Sequence, residues 1–325
     1  MVLKFLQRLK PFIHPRQFGI IATTTATVVL GIALYQEKRK KKMPPDSIQA
    51  GDKVSVSQTS QFTVIPNKRN SKGKTTLAIQ DASGNSTNVK WDYNWDKRDP
   101  EALVKPPKTE NDREKYDEKV KQKTPSATRH LILVRHGVFV NMDADDQERT
   151  LTALGQEQSE MTGQYLNDLD LAYTRMVAST MSRAVETAEI IQKHLPAVKL
   201  DRDDLLCEGR PVLPEPVLYS KPDHTYFQDG ARIEAAFRKY FHRAGPEQKD
   251  DSVEILVCHA NVIRYSVCRA LQFPPEAWLR IVLPHASVTH IIIRPSGHVY
   301  LQGLGSVGHM TPSKVTVSSR GRNLP

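Results

Sequence analysis

The 325-residue chain is 39% hydrophobic and 25% charged, enough apolar material for a sizeable folded core. Its formal charge of +10 sits at the start: residues 1–45 carry nine Lys/Arg and one acid, whereas residues 129–325 carry 22 basic and 23 acidic side chains, a net of −1. A neutral folded part argues against a nucleic-acid-binding domain, and three cysteines (Cys207, Cys258, Cys268) without CxxC spacing argue against a disulfide framework or a zinc cluster.

Residues 1–16 are basic, acid-free and studded with Leu, Phe and Ile, the pattern of a mitochondrial targeting segment. Residues 17–36 contain no charge, and twenty helical residues rise about 30 Å, the thickness of a bilayer's hydrocarbon core. The basic block Lys38-Arg39-Lys40-Lys41-Lys42 follows as a stop-transfer flank. A single transmembrane helix is therefore expected. Residues 37–128 are polar and without sustained periodicity, which predicts a largely disordered linker. One island interrupts it, Trp91-Asp92-Tyr93-Asn94-Trp95-Asp96, with two of the chain's three tryptophans in six residues. Such aromatics either dock onto a partner or fold back onto their own domain. Residues 110–123 read at most as an exposed charged helix.

From residue 129 strands and helices alternate. The apolar run Leu131–Val134 ends on Arg135-His136-Gly137, and an acidic loop (142–149) precedes a helix running from Thr152 to about Asn167. The strand 175–178 leads to a helix with a capping Ser or Thr and Arg183 in its first turn. Leu205 to Gly209 brings Glu208 and is followed by a stiff proline-rich loop (210–216). An amphipathic helix (229–244), a strand (253–258) ending at His259, a helix (262–271) and two strands (288–294, 299–303) joined by Pro295-Ser296-Gly297 complete the domain. This order predicts a three-layer α/β/α domain with a mainly parallel sheet over residues 129–313, followed by a flexible tail (314–325).

The strand ends carry the chemistry. In open α/β sheets ligands bind outside the carboxyl ends of the strands, and a helix N-terminus with an added guanidinium suits an anion. Two histidines and a glutamate are a common metal-ligand set, but neighbouring arginines would oppose a cation. A serine-hydrolase reading lacks a GxSxG elbow. Phosphoryl transfer fits, because clustered positive groups cradle the three phosphoryl oxygens.

The ordered set Arg135-His136-Gly137, Ser179-x-x-x-Arg183-Ala184-x-x-Thr187, Glu208-Gly209, then His259-Ala260 resembles the histidine phosphatase superfamily, with its phosphoglycerate-mutase-like fold, from about Arg129 to Ser313. That resemblance implies His136 as the nucleophile that becomes phosphohistidine. It also implies Arg135, Arg183 and His259 as ligands of the phosphoryl oxygens, and Glu208 as general acid and then general base. No metal and no cofactor are implied. Residues 229–238, 258–265 and 269–276 and the loop 208–216 are similar to the mitochondrial protein-phosphatase branch. The island at Trp91, Asp92, Asn94, Trp95 and Asp96 resembles that branch's WDxNWD self-association motif. A serine/threonine protein phosphatase acting on phosphoserine and phosphothreonine proteins is implied, as a homo-oligomer on a mitochondrial membrane, the outer rather than the inner. Two departures stand out. Cys207 occupies a place where that branch commonly has Arg. Phe139 and Asn141 break the RHGxTxxN pattern of the mutases, which counts against mutase activity. A small-molecule phosphatase, a phosphoglycerate mutase or an oligomeric scaffold are the competing readings.

Overall fold

The computed structural model describes residues 63–66, 77–80, 91–140, 145–217 and 223–318. The expected targeting segment and membrane anchor (residues 1–36) lie outside the described residues. No helix among the described residues is long and apolar enough to cross a membrane. The chain divides into two units, residues 1–88 and 89–325. In the first, β1 (Thr63–Pro66) pairs antiparallel with β2 (Leu77–Gln80), so the expected linker contains a two-stranded sheet.

The second unit runs α1 (Arg113–Lys123), β3 (Arg129–Arg135), α2 (Ala153–Asp168), β4 (Tyr173–Ala178), α3 (Ser182–His194), β5 (Leu200–Arg202), α4 (Asp223–Tyr240), β6 (Ser252–Cys258), α5 (Ala260–Ala270), β7 (Val288–Ile293) and β8 (Val299–Ser306). The strands form one six-stranded sheet in the order β5-β4-β6-β3-β7-β8. Both faces are covered. Leu131 and Leu133 of β3 enter one apolar cluster with Ile233, Phe237 and Tyr240 of α4 and Val262 and Ile263 of α5. Ile132 and Val134 enter another with Leu166 of α2 and Ala188 and Ile191 of α3. A strand buried on both faces reads as a continuous apolar run, and each such side chain contributes about 1.5–3 kcal/mol on burial. The three-layer arrangement is thus observed.

The sheet is mixed rather than mainly parallel, which corrects the expectation. Strands β5, β4, β6 and β3 are parallel, but β7 runs antiparallel to β3 and β8 antiparallel to β7. After α5 the chain does not cross straight back to the start of the sheet. It passes residues 281–287 beneath the carboxyl end of β3, where Ala286 N–H donates to the His136 carbonyl at 3.1 Å, and it enters β7 from that edge (Val134 opposite Val288). The hairpin turn at Gly297, with φ +84°, then reverses β8.

The folded unit also reaches further toward the N-terminus than residue 129. Trp95 is 7% exposed, donates its Nε1–H to the Gly297 carbonyl at 2.9 Å and stacks obliquely on Phe237. Asp96 makes an ion pair with Arg243 at 3.0 Å, with both side chains at most 2% exposed. The linker's aromatic island therefore folds back onto its own domain: the tryptophan ring gains from leaving water, and the Asp96–Arg243 pairing offsets the cost of burying each charge. Helix α1 buries no residue, as its charged sequence requires. Replacing Asp96 by Asn leaves the Arg243 guanidinium buried without its counter-charge. The expected cost is about 3–5 kcal/mol in urea unfolding, and unchanged stability would show that the segment is not part of the folded unit.

Candidate active site

The site begins with strand register. Arg135 at the end of β3 lies opposite Cys258 of β6, and Val257 of β6 lies opposite Ala178 of β4, so three parallel strands end level. Beyond them His136 donates its backbone N–H to the Cys258 carbonyl and Ser179 donates its own to the Val257 carbonyl. Gly137 is needed for a close approach: a Cβ there would stand 2.5 Å from the Gly155 carbonyl oxygen. Helix α2 thereby packs its first turn against the loop that follows His136.

His136 is 2% exposed. Its Nδ1 lies 2.7 Å from its neighbour's carbonyl, Gly137 O, which fixes the proton on Nδ1 and makes Nε2 the acceptor of a hydrogen bond from Arg183 Nε–H. Arg183 Nε sits 3.3 Å from that Nε2. Burial, and then the charges of Arg135, His259 and Arg183, hold the imidazole well below its usual pKa. His136 is therefore neutral and nucleophilic at Nε2. His259, at the end of β6, has its ring 5.1 Å from that of His136 and is also held neutral by burial and by the charges of Arg183 and Arg135. Its Nε2 meets the Ser179 hydroxyl at 2.8 Å, and its Nδ1 is buried without a partner. Arg135 Nη1 donates to the Leu283 carbonyl, while its Nε is buried and equally unpartnered. Unpaired donors packed around a nucleophile make an anion site. Burial raises the carboxyl of Glu208 above its usual pKa against the pull of Arg183 and Arg135, so it can carry a proton. All five expected residues, Arg135, His136, Arg183, Glu208 and His259, thus converge electrostatically on one place.

The histidine phosphatase superfamily (branch 1) pattern matches residues 131–210 and 221–302, the stretches that build this constellation. The protein named "Serine/threonine-protein phosphatase PGAM5, mitochondrial" of Xenopus tropicalis is 51% identical over 229 residues, covering 70% of this chain and 82% of that protein. Its namesake in Homo sapiens is 50% identical over 232 residues, covering 70% and 80%. The chain belongs to the histidine phosphatase superfamily. Among solved structures, the phosphoglycerate mutase of Plasmodium falciparum is 32% identical and covers 57% of this chain and 96% of that one, with a TM-score of 0.42.

In this histidine phosphatase further residues surround the site, most of them not singled out by the sequence. The N-terminus of α3 is capped by Asp146 rather than by its own Ser or Thr: the carboxylate accepts from Ser182 N–H at 2.9 Å and from Arg183 Nη1 at 3.2 Å. An acidic loop 36 residues away in sequence gave no local signal of that contact. Arg232 of α4 grips the Glu208 loop, donating to the carbonyls of Leu205 (3.0 Å), Cys207 (2.6 Å) and Glu208 (3.0 Å). Asn261 holds the same loop through the Gly209 carbonyl at 3.0 Å. Cys207 lies beside Thr180, its Sγ 3.2 Å from that hydroxyl. Phe139 places its ring edge-on to His136 and beneath the Arg183 guanidinium. His285 packs 5.8 Å from the His136 ring, and burial with the Arg135 charge lowers its pKa to about 3. Beside it Ala286 adopts φ +51°, a conformation retained only where the surroundings impose it.

Two outcomes follow. Arg232→Ala frees the loop bearing Glu208, so kcat is expected to fall about tenfold at constant fold, read by steady-state kinetics alongside circular dichroism. The second concerns acid stability. His136, His259 and His285 all have folded pKa values below 6.5, so below pH 6.5 the unfolded chain binds protons that the folded chain refuses. Their stabilisation is complete above pH 6.5 and falls as pH drops, by about 1.4 kcal/mol per pH unit for each histidine. Urea unfolding at pH 7 and 5.5 checks this, and His285→Asn should flatten the dependence.

Proposed function

We propose that this chain is a serine/threonine protein phosphatase that works through a phosphohistidine at His136. The observation that carries the reading is the unprotonated Nε2 of a neutral, buried His136, held only by Arg183 Nε–H and set among Arg183, Arg135 and His259. A phosphoseryl or phosphothreonyl group enters with its oxygens on the Arg135 Nε–H, the Arg183 guanidinium and the His259 Nδ1–H. Nε2 forms a bond to phosphorus as the ester P–O bond breaks, and Glu208 gives its proton to the leaving seryl or threonyl oxygen. The Glu208 carboxylate then takes a proton from water as that water attacks phosphorus. The N–P bond breaks, phosphate leaves and His136 is restored.

The substrate class rests on the relatives, which are named serine/threonine-protein phosphatases. It rests also on Phe139, which stands against His136 where a mutase pattern would carry Thr. The relatives' names supply the mitochondrial compartment. Anchoring through residues 17–36 rests on their uncharged, stop-flanked sequence, and the outer membrane on the likeness to the mitochondrial protein-phosphatase branch. Assembly into a homo-oligomer rests on the likeness of residues 91–96 to a self-association motif. Trp95 and Asp96 serve their own domain, leaving the half-exposed Tyr93 and the exposed Asp92 for a neighbour.

The test is phosphate release by the full chain from a phosphothreonine peptide and a phosphoglycerate offered in parallel. Faster release from the peptide is expected, with a loss of about 10³-fold or more in His136→Ala. Preference for the phosphoglycerate, or undiminished turnover in the variant, would overturn the proposal.

A further inference from the structure

The chain's last described segment does not hang free as expected of residues 314–325. Gln158 Nε2 donates to the Lys314 carbonyl at 2.7 Å and to Thr316 Oγ1 at 2.9 Å. His285 donates its backbone N–H to the Thr316 carbonyl at 2.9 Å, and its Nδ1 meets Thr316 Oγ1 at 2.8 Å. Lys314 pairs with Glu157 of α2. Val315 is extended (φ −77°, ψ +123°). Two residues past its anchor at Thr316, the segment places Ser318 Oγ 2.6 Å from Arg135 Nη2.

That contact uses half of a fork. With Nη1 committed to the Leu283 carbonyl, the side-on edge of Arg135 consists of Nη2–H and Nε–H, two parallel donors spaced for two oxygens of one phosphate. Ser318 Oγ fills Nη2, and Nε is buried without a partner. A bare hydroxyl satisfies one donor; a phosphate on the same oxygen would satisfy both. Ser318 itself is an exposed residue, as a site of kinase action requires. Ser318 Oγ thus lies on the same guanidinium that the proposed phosphoryl site uses.

We propose that Ser318 is a phosphorylation site and that phosphoserine 318 is a substrate of its own chain's active site. The inference rests on the phosphatase reading above. A kinase transfers the γ-phosphoryl of ATP to Ser318 Oγ, with loss of that hydroxyl's proton. His136 Nε2 then bonds to phosphorus while the P–Oγ bond breaks, Glu208 returns a proton to Oγ, and water hydrolyses the phosphohistidine to phosphate. Tethering at Thr316 supplies phosphoserine 318 at a high effective concentration, so while present it competes with phosphoproteins from outside.

The experiment installs phosphoserine at 318 in the full chain by codon suppression and follows intact mass. Phosphate is expected to leave with first-order kinetics unchanged on dilution, and to stay in the same chain carrying His136→Ala. Thr316→Val, which removes the hydroxyl gripped by Gln158 and His285, should slow the loss about tenfold without slowing turnover of a free phosphothreonine peptide. Persistence of the phosphate in a chain that turns over the peptide would overturn this proposal alone. Persistence with no peptide turnover would overturn the phosphatase reading with it. Loss at the same rate in the His136→Ala chain would show that the site is not responsible and would also overturn the proposal.

Discussion

Everything at this site depends on three parallel strands ending at the same level. Because β3, β4 and β6 are hydrogen-bonded in register up to Arg135, Ala178 and Cys258, the residues just past their ends cannot be anywhere but side by side. Residues 136, 179 and 259 are far apart in the chain and adjacent in space for that reason alone. The register is held by apolar side chains on both faces, since a slip of one residue would exchange the two clusters that α2 with α3 and α4 with α5 each cover.

The second constraint is electrostatic. Two guanidiniums and two histidines are gathered where little water reaches them, which keeps both imidazoles uncharged and costs the arginines solvation: burial lowers even Arg135 to about 10. Part of that charge is answered from within, by Asp146 on Arg183 and by Glu208 near both arginines. The remainder is left as unpartnered donors at Arg135 Nε and His259 Nδ1. A phosphoryl group, carrying charge and three acceptor oxygens, completes the set. The same burial and charge keep His136 in its neutral form, the one in which an imidazole nitrogen retains a lone pair.

Much of this was legible beforehand because it is local. The apolar run before Arg135, the Ser179-to-Thr187 spacing at the head of a helix, and the second strand ending on His259 are patterns of period and punctuation, which need no knowledge of the fold. The two-faced burial of β3 follows from four consecutive apolar residues. The direction of β7 was not legible in that way. A strand–helix–strand alternation ordinarily returns a parallel strand, and nothing in residues 271–287 marks them as a segment that runs beneath the sheet's carboxyl edge. Asp146, Arg232, His285 and Thr316 were missed for a related reason: each acts through a single long-range contact, and an isolated Asp, Arg, His or Thr has many ordinary explanations.

The amino-acid sequence by itself determined the layers, the five residues gathered at the strand ends and the family, because hydrophobic period and fixed short spacings encode them within a few residues of chain. Only the tertiary structure decided the mixed sheet, the return of Trp95 and Asp96 to their own domain, and the seating of Thr316 and Ser318 beside the site. Those depend on which distant groups leave water together, and that free energy exists only once the partners have met.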